Sequence, residues 1–464
     1  MRELGVIILA AGQGTRMKSA LPKVLHPLAG RPLFVHGLTT AQRLAPARVT
    51  IVIGHGAELV RQSYHGKDIS WVIQERQLGT GHAVRCAETL FKDFSGDILI
   101  LSGDVPLIQE NTLRDMVERH RTQKAAATLL TASLDRPTGY GRVMRDATGN
   151  ITGTVEEKDA SDAQKQVCEV NAGIYVASSS FLFDALSTVT NDNQQSEYYL
   201  PGIVAIGLSQ GQKIETVHVA DAREMMGVNT REELAYMEKN LRESINRKWM
   251  LAGVTLKDPD TTYIDESVTI GKDTVIGPNT QLRGKTIIGE RCRIDGTAFI
   301  TDVEIDDDVE LKFSVMLTSS RIGAGAIIGP FAQLRPGTEL GRNVHIGNFV
   351  EAKAAHIGDG TKANHLTYMG DVTIGRDSNI GAGTITCNYD GFHKYQTKIG
   401  DRVQVGSDTT LVAPIALGDD VYVATATTVR HDVPAGALVF NQREEKIREG
   451  WTEQKRKQMK GQEE

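Results

Sequence analysis

Thr269-Ile270-Gly271-Lys272-Asp273-Thr274-Val275-Ile276-Gly277 carries an aliphatic residue at every sixth position, each followed by glycine, and the pattern continues far beyond this stretch. One phase runs Ile264, Ile270, Ile276, Leu282, Ile288, Ile294, Ile300; a second runs Ile322, Ile328, Leu334, Leu340, Ile346. A third runs Ile399, Val405, Leu411, Leu417, Val423, Val429. A period of six held over so many steps predicts a solenoid of short flat strands. Each hexad forms one wall of a triangular prism, its aliphatic side chain points to the axis, and successive coils stack by parallel hydrogen bonding. An ordinary β-sandwich would alternate with period two instead. The glycine after the axial residue (Gly271, Gly277, Gly289, Gly323, Gly329, Gly347, Gly381, Gly400, Gly406) reads as a turn where only a small residue fits. The hexads slip over Ala354–Thr373, which brings in His365 and Tyr368, and a segment from Cys387 to Lys398 interrupts them as a projecting loop. Such interruptions mark the binding face of a solenoid.

Upstream, the first 225 or so residues follow another rule. Apolar runs (Val6–Leu9, Val49–Ile53, Ile98–Leu101, Ala126–Leu130, Gly173–Val176) alternate with helix-like stretches (Leu33–Leu44, His82–Phe91, Asn111–Thr122). That pattern predicts a mostly parallel α/β sheet. Between the halves, Leu234, Met237, Leu241, Ile245 and Trp249 share one face of an amphipathic helix over Arg231–Leu251, with Thr230 and Glu233 as its capping box. The expected organisation is therefore a domain over 1–229, a linker helix over 230–251 and a repeat domain with a charged tail over 252–464.

With 52 basic and 58 acidic residues the chain is net negative by 6, so no global positive field points to nucleic acid. Anionic ligands must be met by local cations and backbone N–H groups. The four cysteines are scattered, without zinc or disulfide spacing, which suits a reducing compartment. No stretch reaches membrane length and none reads as a signal peptide, so the expected location is the cytoplasm.

The first apolar run feeds Leu9-Ala10-Ala11-Gly12-Gln13-Gly14-Thr15-Arg16, with Leu21-Pro22-Lys23 close behind. A strand entering a glycine loop lets backbone N–H groups face a phosphate, and Arg16 and Lys23 add charge that can follow phosphate negativity into a transition state. The loop is neither G-x-G-x-x-G nor a Walker A motif, and a bare turn is its plainer reading. A second strand, Ile98 to Leu101, runs into Ser102-Gly103-Asp104-Val105-Pro106-Leu107. This sets a carboxylate at the carboxyl edge of the sheet, where α/β folds bind ligands and where Asp104 can serve Mg²⁺; a turn-capping aspartate is the alternative.

Together with Gln74, Leu78-Gly79-Thr80-Gly81, Thr138-Gly139-Tyr140-Gly141-Arg142, Asn171-Ala172-Gly173 and Gly227-Val228-Asn229, these motifs give the chain a resemblance, over essentially its whole length, to a bacterial family. It resembles the bifunctional N-acetylglucosamine-1-phosphate uridylyltransferase / glucosamine-1-phosphate N-acetyltransferases. The resemblance implies an α/β nucleotidyltransferase domain with a Rossmann-like mixed sheet, then a left-handed parallel β-helix of hexapeptide repeats. It implies that Leu9, Ala10, Ala11, Gly12, Gln74, Gly79, Thr80, Ser102 and Gly103 form the UTP-binding surface. Gly141, Glu156 and Asn171 would hold N-acetylglucosamine, and Asp104 and Asn229 would ligate Mg²⁺. A sugar-1-phosphate oxygen would attack the α-phosphorus of UTP, with pyrophosphate leaving and Arg16, Lys23 and Mg²⁺ neutralising charge.

For the repeat domain the resemblance implies transfer of acetyl from acetyl-CoA to glucosamine-1-phosphate. His365 would be the general base, oriented by Glu351, and Arg335, Lys353, Tyr368 and Asn379 would bind the sugar phosphate. Asn388 and Tyr389 of the loop would line the same site and reach acetyl-CoA, together with Ala382, Ser407 and Thr425. Thr425 stands where relatives carry alanine, and either Gln442 or Arg443 approaches the CoA phosphates. The resemblance further implies a homotrimer with acetyltransferase sites at subunit interfaces, and a role supplying peptidoglycan and lipopolysaccharide synthesis. The rivals are a single-activity nucleotidyltransferase with a regulatory β-helix and a non-enzymatic scaffold of the same domain order.

Overall fold

The computed structural model describes residues 2–66, 68–442 and 444–460, so the expectation for Arg443 lies outside the described residues. The chain forms two compact units, Met1–Ile245 and Asn246–Glu464.

In the first unit nine strands make one sheet. They are β1 (Glu3–Ala10), β2 (Arg48–Ile53), β3 (Ser70–Ile73), β4 (Gly96–Ser102), β5 (Ala127–Ser133), β6 (Arg142–Arg145), β7 (Ile151–Val155), β8 (Glu169–Ser178) and β9 (Ile214–His218). The order is β9-β5-β8-β4-β1-β2-β3, with β6 paired to β8 and β7. Strands β3, β2, β1 and β4 are mutually parallel, whereas β8 runs antiparallel between β4 and β5, so the sheet is mixed. Both faces are buried, which is why its central strands read as continuous apolar runs. On β1, Val6, Ile8 and Ala10 pack into one core while Ile7 packs into the other; on β4, Leu99 and Leu101 oppose Ile98 and Ile100 in the same way. Helices α1 (Leu33–Gln42), α2 (Ala57–Gln62), α3 (Thr80–Cys86), α4 (Glu110–Thr122), α5 (Asp162–Lys165), α6 (Ser179–Thr188) and α7 (Gly202–Ser209) connect the strands.

Helix α8 (Arg231–Leu251) contains the division between the units. Its N-terminus is closed by the expected capping box: Thr230 Oγ1 accepts from Glu233 N at 3.1 Å, and Glu233 Oε2 accepts from Thr230 N at 3.0 Å. Leu234, Met237 and Leu241 pack against Met17, Leu28, Leu33 and Val228.

The second unit is a left-handed parallel β-helix of hexapeptide repeats. Each short strand pairs in parallel with the third strand after it, as Ile264 does with Leu282 and Ile270 with Ile288, so three walls make one coil. The axial residues of all three sequence phases are buried. The structure refines two readings. First, the hexads do slip around 354–373, but the coils continue through that stretch without interruption. The stretch belongs to two long strands, β10 (His345–Ile357) and β11 (Lys362–Ile374), paired in register along most of their length. The buried axial series continues through Ala352, Ile357, Ala363, Met369, Ile374 and Ile380, with five-residue steps where a corner is tighter. Second, the glycines after the axial residues serve close stacking, and of those named only Gly329, at φ +95°, also takes a left-handed conformation. A Cβ on Gly271 would lie 2.5 Å from the backbone of Gly289 in the next coil. The positive-φ corners fall two residues later, at Asp273, Arg291, Asp308, Asn343, Asp377, Arg402 and Asp420. The loop between Thr386 and Ile399 does project, with Tyr389 bridged to Lys394 across it. The tail ends in α9 (Trp451–Lys460), exposed along its whole length. Among the described residues no helix is long and apolar enough to cross a membrane.

Two candidate active sites

The first site lies where parallel β1 and β4 end side by side, Leu9 opposite Ser102. Gly103 N donates to Leu9 O at 2.8 Å, which sets Asp104 at the carboxyl edge of the sheet. A cleft of 290 Å³ opens there. Of the residues expected from the sequence, Leu9, Arg16, Thr80, Ser102, Asp104, Gly141, Glu156, Asn171 and Asn229 line it, and Asn229 stands beside Asp104 through their shared contact with Lys23. Ala10, Ala11, Gly12, Lys23, Gln74, Gly79 and Gly103 are not in its walls. Ala10 and Ala11 are buried in the sheet. Gln74 is also buried; its Nε2 donates to Gly79 O at 3.1 Å and lies 2.9 Å from His82 Nδ1, so it holds the Gly79–Thr80 turn in place.

Lys23 reaches the cleft through its ammonium, which contacts the Asp104 carboxylate and donates to Asn229 Oδ1 at 3.1 Å. Its approach explains Gly14: that residue has φ +62°, and a Cβ there would sit 2.5 Å from Lys23 Cβ. Ser102 Oγ donates to Asp104 Oδ1 at 2.6 Å. Burial pushes the Asp104 carboxyl up, but the charge and hydrogen bond of Lys23, aided by Ser102, outweigh it and hold the group below the usual carboxylate range. A carboxylate and an amide oxygen thus converge on one cation. That donor pair fits Mg²⁺, which prefers few protein oxygens and completes its shell with water and phosphate. Among the described residues no cluster of three or more His, Cys, Asp or Glu offers a richer metal site.

Also at the cleft, a bulge between Asn171 and Tyr175 shifts the register of β8 against β5, and Gly173 at its centre has φ +72°. Asn171 is the last paired residue before the bulge, opposite Thr131; its Oδ1 accepts from Gly173 N at 3.1 Å and its Nδ2 donates to the buried Tyr175 hydroxyl. Burial pushes the Glu156 carboxyl up, and repulsion from Asp159 and Glu197 adds to the rise. Sequence reasoning did not select Tyr140, Tyr175, Leu200 and Glu233, which also line the cleft. Tyr140 stood inside a quoted motif, but Tyr175 reads as core until the bulge is seen.

The second site lies along the β10–β11 wall. Register pairs Asn348 with His365 and Glu351 with Tyr368. His365 is exposed, and its Nδ1 lies 2.9 Å from Asn348 Oδ1. Glu351 therefore does not orient His365: its carboxylate is taken by Arg335 Nη1 at 2.7 Å. Asn348, one coil below the histidine, is the partner that sequence reasoning missed. Lys353 meets Lys394 of the projecting loop, and this contact holds the Lys394 ammonium below the ordinary lysine range, Asp371 and Tyr368 partly offsetting it. Lys394 was also missed, although a cation in that loop was a visible signal. Asn388 is buried, and its amide donates to Asp371, which pins the base of the loop. Tyr389 is exposed beyond it.

Asn379 lies beside Lys362 on the adjacent wall. Ala382, Ser407 and Thr425 occupy one corner of successive coils: Asp408 N donates to Ala382 O at 2.7 Å and Ala426 N to Ser407 O at 2.8 Å. Gln442 lines a groove at the C-terminal end of the β-helix with Arg430 and His431. Arg335, Lys353 and Lys394 offer cations to an anionic substrate, and the exposed His365 an imidazole that can accept a proton.

The family model of the MobA-like NTP transferase domain matches residues 6–168. The model of the bacterial transferase hexapeptide (six repeats) matches 267–302 and 319–352, and that of the hexapeptide repeat of succinyl-transferase matches 396–429. The chain is 50% identical to the bifunctional protein GlmU of Pelobacter propionicus over 452 residues, covering 97% of this chain and 98% of the relative. It is 47% identical to that of Geobacter sulfurreducens over 476 residues, covering 99% and 100%. With that of Corynebacterium diphtheriae it shares 44% identity over 457 residues, covering 97% and 94%.

Proposed function

This chain belongs to the family of bifunctional GlmU proteins, and we propose from that how its two units divide the synthesis of UDP-N-acetylglucosamine. The enzyme N-acetylates glucosamine-1-phosphate with acetyl-CoA and then transfers uridylyl from UTP to the product, releasing pyrophosphate. The α/β unit is the uridylyltransferase and the β-helix the acetyltransferase, with domain limits at 229 and 252 on either side of the linker helix.

In the uridylyltransferase cleft the sugar lies against Gly141, Glu156 and Asn171, and the nucleotide against the β1 loop, Gln74, Gly79 and Thr80. The family uses a divalent metal; Mg²⁺ at Asp104 and Asn229 would shield the phosphate charge as the bond to the α-phosphorus forms. Arg16 and Lys23 hold the phosphates in line. In the acetyltransferase site Arg335, Lys353 and Lys394 take the sugar phosphate, with Tyr368 and Asn379 beside it. His365 accepts the amine proton through Nε2 while Asn348 holds its Nδ1–H. Ala382, Ser407, Thr425, Asn388 and Tyr389 receive acetyl-CoA, and Gln442 or Arg443 its phosphates. The molecule works as a homotrimer in the cytoplasm.

The observation that carries this reading is that the Lys23–Asp104–Asn229 cluster and the His365–Asn348 pair sit in separate units of one chain. Full-length Asp104→Ala and His365→Asn, each assayed for both half-reactions, test it. Asp104→Ala loses uridylyl transfer and keeps acetyl transfer near wild type. His365→Asn keeps uridylyl transfer, and its acetyl transfer falls about a hundredfold to ten-thousandfold. Loss of both activities in either variant, or of neither, overturns the assignment.

A further inference from the structure

Three neighbouring segments carry the sugar-facing residues of the first unit: Gly141 just before β6, Glu156 just after β7, and Asn171 in β8. The residues beside them, Arg142, Glu157 and Val170, are not in the cleft walls. Arg142 is 1% exposed and pairs in register with Val170 on one side and Val155 on the other. Its Nη1 donates to Tyr140 O and lies 2.7 Å from Glu157 Oε2, and its Nη2 donates to Lys165 O at 3.2 Å. One guanidinium therefore joins the turn before β6, the segment after β7 and the end of α5. The front of this layer is equally close. Asn171 N donates to Gly141 O at 2.9 Å, and a Cβ on Gly141 would stand 3.1 Å from Glu156 Oε1.

We propose that Arg142 and Glu157 are a positioning pair that sets the geometry of the sugar pocket from behind. The proposal rests on the reading that Gly141, Glu156 and Asn171 hold the N-acetylglucosamine moiety. Arg142 is buried and the Glu157 side chain 26% exposed, so desolvation of the guanidinium offsets much of the attraction between them. Stability therefore does not account for the pair, whereas geometry does. A planar guanidinium reaches a carboxylate and two carbonyls from three segments at once, which neither an ammonium nor an apolar side chain can do.

The test is the full-length double variant Arg142→Met/Glu157→Leu, read by thermal unfolding and by steady-state kinetics of both half-reactions. The expected result is an unfolding midpoint of the first unit close to wild type and unchanged acetyl transfer. KM for N-acetylglucosamine-1-phosphate rises about tenfold to a hundredfold, the range expected from misplacing a substrate contact, while KM for UTP stays unchanged. A double variant that folds and keeps the wild-type KM for the sugar phosphate overturns the proposal, because filling the space would then suffice. Should the double variant not fold, Glu157→Gln, which keeps the shape and removes the charge, decides the question: a raised sugar-phosphate KM supports the pair and an unchanged one overturns it. Asn171→Ala separates the two layers of inference. If it too leaves the sugar-phosphate KM unchanged, the placement of the sugar fails rather than the positioning role.

Discussion

Glu156 and Asp104 face the same cleft, and their surroundings drive their carboxyls in opposite directions. Burial and the charges of Asp159 and Glu197 raise Glu156 above its ordinary 4.5, so the folded state holds this proton more tightly than the unfolded chain does. Its stabilising contribution is complete below that value and disappears as pH rises through the raised one. Above the ordinary value Glu156 costs the first unit stability. Glu156→Gln is therefore expected to raise the unfolding midpoint of that unit at pH 7, with the difference shrinking to nothing as pH falls below the ordinary value, while sugar-phosphate KM increases. Midpoints that differ equally at all pH values would show that repulsion is not the cause. Asp104 behaves oppositely, because Lys23 lowers it: its contribution is present above 3.8 and lost as pH falls through the depressed value. It is thus ionised and ready for a cation throughout the neutral range. Asp104 was legible as a strand ending in Gly-Asp. Asn348 was not chosen beside His365, although the two stand 17 positions apart, the length of one tightened coil.

Helix α8 does more than link two domains. Its Leu234, Met237 and Leu241 cover Met17, Leu28, Leu33 and Val228, all of the first unit, and Met237 is fully buried. A fragment ending at 229 loses this cover, whereas one ending at 245 keeps it. Met237→Ala should cost about 2–5 kcal/mol, the usual range for a large-to-small core change. Denaturant unfolding of the two fragments and of the full-length variant measures both effects. A 1–229 fragment as stable as the longer one would show that the helix is a mere spacer. The amphipathic face and the capping box were readable from spacing alone, but which unit the face serves was not. In the β-helix, likewise, the period announced the coils. It faded where Ala352, Ala363 and Thr386 replace large aliphatics at the axis and where five-residue steps shift the count. There the pattern is carried by backbone pairing between β10 and β11, which no hydrophobic periodicity reports.

At the scale of the molecule, one corner of the prism carries an exposed apolar row. Phe313, Phe331 and Phe349 are 50%, 47% and 56% exposed, with Leu366 at 62% beyond them. The rings meet edge-on at 5.8 Å and stack at 5.5 Å. A contiguous apolar ridge of this kind calls for cover by another surface, which the homotrimer proposed above would supply. Phe331→Glu is expected to yield a smaller species in analytical ultracentrifugation and to lose acetyl transfer while uridylyl transfer persists. A variant that sediments as wild type and acetylates normally would detach the ridge from assembly. The sequence by itself determined the two architectures and the order of the units, because periods of six and of helix and strand are local properties of the chain, while the chemical classes of the sites came through the family resemblance. It also pointed to Asp104 and Lys23 through the residues around them, and to His365 through the family resemblance. Only the tertiary structure decided that Glu351 answers Arg335 while Asn348 answers His365, that Lys394 stands against Lys353, and that Arg142 lies buried against Glu157. Those pairings join residues from different coils or strands, and register, corner length and burial, which exist only once the chain is folded, choose among partners that the sequence leaves equivalent.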